Sequence, residues 1–148
     1  MGQFVHLHVH SHYSILDGAS SIDKLISRAL ELGMPGIALT DHGNMFGVKE
    51  FLSKVSKVNG KVNDEIKQLK CDIENAEGEI ERGGGNPAGL EELRLKLKEA
   101  QAKLFKPIVG CETYIAKKSR FDRTDKEDRH NYHLILLAKN KEGYHNLM

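Results

Sequence analysis

The chain has 148 residues, of which 39% are hydrophobic and 29% are charged, a composition typical of a soluble globular protein with a sizeable core. Its 22 basic and 21 acidic residues give a formal charge of +1, which excludes a global attraction to nucleic acid or membranes. Because it has no signal-peptide pattern, membrane-length apolar run or CxxC motif, we expect a cytoplasmic protein with no membrane contact and no disulfide framework.

Residues 4–10 alternate apolar residues with histidines, which is the period of a half-buried strand. One face would pack on a hydrophobic layer through Val5, Leu7 and Val9. The other face would carry His6, His8 and His10, with neighbouring side chains about two strand rises (~6.6 Å) apart. Neutral imidazole binds zinc and other transition metals, whereas a buried row of unpaired imidazoles would only cost desolvation. The pair of His8 and His10 therefore predicts a metal site.

A helix is expected to follow this strand. Ser20 and Asp23 are typical of a capping box, and the helix would run to about Leu32, before Gly33. Its buried face is predicted to comprise Ile22, Leu25, Ile26, Ala29 and Leu30.

The next pair of elements is a strand and a second helix. The apolar run 36–40 suits a strand that is buried on both faces, and a polar turn at 41–44 ends it. The second helix would start near Met45 and bury Phe51, Leu52 and Val55.

Segment 58–105 has a different pattern, a heptad seam on two helices. The first part of the seam comprises Val62, Ile66, Leu69, Ile73, Ala76 and Ile80. After the Gly-rich breaker at 83–89, the seam resumes with Leu90, Leu93, Leu97, Ala100 and Leu104. Two such helices should form an antiparallel hairpin, which would be a solvated spacer or, alternatively, a docking arm for a partner.

Two further strands are predicted beyond this segment. They cover residues 106–116 and 131–139, with a charged loop at 117–131 between them and the start of another helix at 140–148. The alternation of strands and helices implies a parallel α/β sheet or barrel. Residues 1–57 and 106–148 would form one domain, and residues 58–105 would be an inserted hairpin.

Additional donor side chains follow the predicted strands, the position at which α/β barrels build their sites. They are Asp17, Asp41, His42, Glu112 and His133. Glu112 could bridge two ions with its two carboxylate oxygens. Singly, each also has a structural interpretation, for example Asp17 as a turn residue or His133 as a core histidine.

Four ordered segments carry a family resemblance: "HLHVHSHYSILDGAS", "GIALTDHGNMFG", "KPIVGCETYIA" and "YHLILLAKNKEGYHNLM". They resemble the N-terminal PHP (polymerase and histidinol phosphatase) domain of bacterial DNA polymerase III alpha subunits. The segments "FDR" at 121–123 and "GYHNL" at 143–147 favour that branch over histidinol phosphatases and free-standing phosphoesterases. Segment 58–105 departs from the family pattern.

The resemblance implies a distorted β/α barrel of seven strands, of which this chain would hold about the first half. It also implies up to three divalent ions at the strand ends, zinc being most expected and manganese an alternative. The implied ligands are His8, His10, Asp17, His42, Glu112 and His133. His10, His42 and Glu112 would be the catalytic members of this set. His6 and Asp41 would support the ligands without contacting a metal ion. Asp41 would orient His42 or close the turn.

The same resemblance implies the N-terminal region of a replicative DNA-directed DNA polymerase, with a metal-dependent phosphoesterase that could act as a 3′→5′ exonuclease. Implied partners are primer-template DNA, a sliding clamp and a proofreading exonuclease subunit. DNA contacts are predicted at Lys117, Lys118, Arg120 and Arg123, unless that loop is only solvated. The alternatives are a metal-stabilised, non-catalytic module that anchors the exonuclease subunit, or a small-molecule phosphatase. The 148-residue chain alone is expected to be inactive.

Overall fold

The computed structural model describes residues 4–121 and 131–148, which form a mixed α/β structure. Its elements are α1 Ile22–Glu31, β1 Gly36–Leu39, α2 Val48–Val58, α3 Gly60–Glu81, α4 Pro87–Ala102, β2 Lys106–Ile115, β3 Tyr132–Leu137 and α5 Lys141–Leu147. Residues 1–55 with 106–148 form one compact unit, and residues 56–105 form another. The assignment of 58–105 as an inserted domain stays a prediction.

The structure also bears on membrane-spanning helices and on the cysteines. Among the described helices, none combines the length and the hydropathy required to cross a bilayer. Both cysteines are free thiols, Cys71 exposed and Cys111 buried.

The three strands form one sheet in the order β1-β2-β3. β1 and β2 are parallel, whereas β2 and β3 are antiparallel, so the prediction of an all-parallel sheet is wrong at β3. Parallel neighbours need a crossover that covers the sheet, usually a helix with an apolar face. Residues 117–131 are almost wholly polar and charged, so their sequence offers no such apolar face. In the antiparallel register Tyr132 pairs with Ile115, so the start of β3 lies beside the end of β2.

Residues 4–10 run parallel to β1 without forming the regular strand that was predicted. The carbonyl of His6 accepts from Ala38 N–H and that of Val9 accepts from Thr40 N–H, both at 2.9 Å. Three residues of the segment thus span two residues of β1, an irregularity equivalent to a bulge. It breaks the alternation of faces, and the predicted burial of Leu7 is wrong because this residue is 49% exposed.

α1 begins one residue later than predicted, because Ser21 rather than Ser20 is its N-cap. The buried face consists of Ile22, Ile26 and Ala29. Leu30 lies about 100° further round the helix than Ala29 and is 43% exposed, so its predicted burial is wrong.

β1 is buried at all four positions, which confirms the predicted strand that is buried on both faces. α2 begins at Val48, later than the predicted start near Met45. Its buried residues are Val48, Phe51 and Val55, spaced three and four apart. Leu52 falls beside this face and is 43% exposed, which corrects the prediction that it is buried.

In the second unit, α3 and α4 pack against each other in opposite directions. Arg94 pairs with Glu77 at 2.9 Å near the connecting turn, and Lys103 pairs with Glu65 at 3.6 Å further from it. The apolar seam residues are half-buried, apart from Ala100, which is completely buried. Whether this helix pair is a spacer or a docking arm stays a prediction.

Asn59 closes the base of this helix pair by accepting from Phe105 N–H at 3.0 Å and donating to Phe105 C=O at 2.8 Å. Asn59→Ala should lower the free energy of unfolding by about 1–3 kcal/mol, because two buried backbone groups lose their partners. Urea unfolding followed by far-ultraviolet circular dichroism measures the loss. Asn63→Ala, on the exposed side of α3, is the matched control. Equal stabilities of the two variants would contradict this role for Asn59.

Candidate metal centre

Glu112 lies at the floor of a cluster of imidazoles, with only 2% of its side chain exposed. Its Oε2 atom is 2.6 Å from His8 Nε2 and 2.9 Å from His10 Nε2. Its Oε1 atom is 3.3 Å from His42 Nδ1 and also pairs with His133 Nδ1. Each carboxylate oxygen therefore faces two imidazoles.

The sheet brings these side chains together from distant positions in the sequence. His42 follows β1 and is held beside Glu112 by a parallel bridge, in which Gly43 N–H donates to Glu112 C=O at 2.9 Å. On β3, His133 is the partner of Tyr114, so it is a diagonal neighbour of Glu112 on the same face. This position depends on the antiparallel direction of β3, which puts its first residues beside the end of β2.

Two groups of donor atoms result, and within each group the atoms all lie within 4.8 Å of one another. One consists of His8, His10 and Glu112, and the other of His42, Glu112 and His133. A carboxylate shared by two groups is suited to bridge two cations, and imidazole with carboxylate is a donor set that zinc accepts.

His42 provides a test of whether these residues fit a cation. Its Nε2 atom is 2.7 Å from Asp17 Oδ2, and its buried Nδ1 atom has no hydrogen-bond partner among the described residues. Donation from Nε2–H to Asp17 leaves a lone pair on the buried Nδ1 atom, which lies 3.3 Å from Glu112 Oε1. A buried lone pair without a partner is costly, and a cation between the two groups would satisfy it. The residues present therefore fit a divalent metal ion.

The protonation states suit the same interpretation. Burial lowers the pKa of His10 below its usual value and the neighbouring His42 lowers it further, which favours the neutral ring that metal binding requires. At Glu112, burial acts to raise the pKa, but the hydrogen bond from His8 and the imidazoles of His42, His10 and His133 lower it overall. The carboxylate therefore remains ionised and able to bind cations.

Asp17 and His6 lie outside the two donor groups found in residues 4–121 and 131–148. Asp17 is 62% exposed and contacts the outer nitrogen of His42, the place of a residue that orients a ligand. His6 is exposed, and its ring stands edge-on to Phe4 at 4.8 Å. Metal ligation by Asp17 and a supporting role for His6 stay predictions.

Asp41 is 1% exposed and accepts hydrogen bonds from Ser11 and Ser14 rather than contacting the His42 ring. Both serines are completely buried, and sequence reasoning missed them. Their signal was their position one and four residues after His10, because small hydroxyl side chains near a predicted ligand are suited to support it.

The predicted DNA contacts follow β2. Lys117, Lys118 and Arg120 are exposed, and the Arg120 guanidinium lies 4.8 Å from the centre of the Phe121 ring. Arg123 lies outside the described residues. Contact of these residues with DNA stays a prediction.

Comparison with known proteins matches residues 6–148 to the family described as PHP domain. Over 98% of its own length, the chain is 42% identical to the DNA polymerase III subunit alpha of Treponema pallidum. Over 99% of its own length, it is 38% identical to that of Borreliella burgdorferi. It is 36% identical to the DNA polymerase III subunit alpha of Aquifex aeolicus over 98% of its length. The chain spans about 9% of the length of each of these relatives. The chain thus belongs to the PHP domain family.

Proposed function

We propose that the PHP centre binds two divalent metal ions that share Glu112, and that it hydrolyses phosphoester bonds. The observation that supports this proposal is the arrangement around one buried carboxylate, with His8 and His10 at Oε2 and His42 and His133 at Oε1. Zinc is the metal most expected for this donor set, and manganese is the alternative. A third ion would need donors beyond these two groups.

Bound divalent ions would lower the pKa of a coordinated water to roughly 7 and offset negative charge on a phosphoryl group. The chain's own residues define where this chemistry takes place. Glu112 is 2% exposed, whereas the side chains of His8 and His133 are 55% and 51% exposed. A phosphoester can therefore approach the centre from the side of these two imidazoles, while Glu112 lies buried beneath them.

We further propose that the chain forms the N-terminal part of a replicative DNA polymerase and that its substrate is the 3′ end of a primer. Support comes from the relatives, which are DNA polymerase III alpha subunits. The exposed cations Lys117, Lys118 and Arg120 are suited to phosphate contacts that position a strand without reading its sequence. A sliding clamp and a proofreading exonuclease subunit are the proposed protein partners.

A primer-degradation assay tests the catalytic proposal. The full-length protein, freed of other nucleases and supplied with Zn²⁺ or Mn²⁺, should release nucleotides from the 3′ end of a 5′-labelled primer. His10→Ala should reduce the rate by about 100-fold or more, because one cation loses a ligand and its water is no longer activated. His12→Ala is the matched control, since His12 is an exposed histidine of the same segment outside both donor groups.

The same assay separates the proposal from its alternatives. The donors come from several separate segments, so a cation could also act as a staple that only stabilises the fold. Chelation that lowers the melting temperature, with no primer degradation by the metal-loaded protein, would contradict catalysis and favour an anchoring module. Turnover of a phosphomonoester without primer degradation would instead favour a small-molecule phosphatase.

A further inference from the structure

We propose that Ser14, held by Asp41, is a positioning residue that fixes the tautomer of His10, so that the His10 Nε2 lone pair faces Glu112. This inference deepens the proposed function, since a lone pair at Nε2 is what a cation beside Glu112 requires. The four residues belong to three separate parts of the unit: residues 4–10 with the loop that follows them, the turn after β1, and β2.

The hydroxyl of Ser14 has three partners and is completely buried. Its Oγ atom lies 2.7 Å from Asp41 Oδ1, 3.1 Å from the backbone nitrogen of His42 and 3.0 Å from His10 Nδ1. A serine hydroxyl has one hydrogen to donate and two lone pairs with which to accept. Three contacts therefore account for its whole hydrogen-bonding capacity.

The direction of each contact follows from its partners. The backbone N–H of His42 can only donate, so Ser14 accepts there. The carboxylate of Asp41 can only accept, so the single hydroxyl hydrogen of Ser14 points to Asp41. The remaining lone pair of Ser14 faces His10, so a hydrogen bond between these two side chains requires the ring hydrogen on His10 Nδ1.

Ser11 secures the acceptor role of Asp41. Its backbone N–H donates to Asp41 Oδ1 at 2.7 Å and its hydroxyl to Asp41 Oδ2 at 2.9 Å. The Ser11 hydroxyl in turn accepts from Tyr13 N–H at 3.2 Å, which leaves its hydrogen for Asp41. Donors thus converge on both oxygens of the Asp41 side chain, and this residue is 1% exposed. These contacts hold the carboxylate in the orientation in which it accepts from Ser14.

The consequence appears at the other ring nitrogen. A neutral imidazole with its hydrogen on Nδ1 has its lone pair on Nε2. In His10 this atom lies 2.9 Å from Glu112 Oε2 and 2.7 Å from His8 Nε2, among the donors of the first group. The buried side of His10 therefore determines what its exposed side can bind, which is how residues behind a ligand tune metal affinity.

Nuclear magnetic resonance of the metal-free protein, labelled with ¹⁵N in histidine, tests this inference. At about pH 8, above the usual histidine pKa of about 6.5, wild-type His10 should show a protonated Nδ1 and an unprotonated Nε2. Ser14→Ala should give a mixture of the two tautomers. It should also weaken zinc binding by about 10-fold to 100-fold in competition with a chelator.

Asp41→Ala is the second variant, and it removes the acceptor while it keeps Ser14 beside His10. The hydroxyl hydrogen of Ser14 can then turn toward His10 Nδ1, which accepts it and shifts the ring hydrogen toward Nε2. Tyr13→Phe is the control, because it alters the same loop through the Glu50 contact without touching His10. It should leave the tautomer unchanged, and circular dichroism verifies that each variant is folded.

The role of Ser14 and the proposed metal centre can be refuted separately. A His10 ring that keeps its hydrogen on Nδ1 in both folded variants would overturn the role of Ser14. If the variants show the expected tautomer shifts but the wild-type protein binds no zinc, the role of Ser14 is supported and the proposed metal centre is contradicted.

Discussion

Glu112→Gln should empty both halves of the metal centre at once, an effect larger than the loss of any single histidine. An amide has one acceptor oxygen and one donor group, so it cannot offer oxygen lone pairs to His8 and His10 on one side and to His42 and His133 on the other. It also removes the negative charge that favours two cations. We expect the zinc content, measured by elemental analysis after dialysis, to fall from about two ions per chain to near zero. The loss of zinc affinity should exceed about 100-fold, the upper end of the range for residues that only support a ligand.

Two comparisons make this result specific to the shared carboxylate. His133→Ala affects only the second donor group and should remove one ion while the His8 and His10 group keeps the other. Glu79→Gln, an exposed residue on α3, should retain the full zinc content. Glu112→Gln protein that still binds two ions would show that Glu112 is a structural salt-bridge partner and not a bridging ligand.

The donor residues were predictable because ligand chemistry is a local property of the sequence. His8 and His10 stand out by their spacing, and His42, Glu112 and His133 by their positions in or after apolar runs. The structure brings the four histidines together around the Glu112 carboxylate. Sequence alone could name the candidates because strand ends and donor atom types need no long-range information.

The remaining features depend on contacts between distant segments. The slip of one residue between 4–10 and β1, which exposes Leu7, is decided by hydrogen bonds to Ala38 and Thr40. The direction of β3 is decided by its pairing with β2. The position of Ser14 four residues after His10 is a weak signal, because its role exists only where the loop after residues 4–10 meets the turn after β1.

Gly18→Ala should damage the fold and the metal centre together, because the position has no room for a side chain. A Cβ atom at residue 18 would lie 1.8 Å from the carbonyl oxygen of Ser11 and 2.6 Å from its carbon. The loop cannot easily yield, since Gly18 N–H donates to Ser14 C=O at 2.8 Å and Leu16 already has a left-handed φ of 85°. Relief therefore requires a backbone shift at Ser11 or Gly18, on either side of Ser14.

The shift should lower the free energy of unfolding by about 1–3 kcal/mol or more, as overpacking of well-filled sites does. Because Ser14 supports His10, we also expect zinc affinity to fall by about 10-fold or more. Thermal unfolding of the metal-free protein and zinc titration measure the two effects. Gly78→Ala is the matched control: its nearest heavy atom, Arg82 Nη2, is 3.7 Å away, and alanine within α3 should add about 0.5–1 kcal/mol of stability. If Gly18→Ala matched the wild-type protein in both measurements, the loop would not be the rigid support of His10 that its contacts indicate.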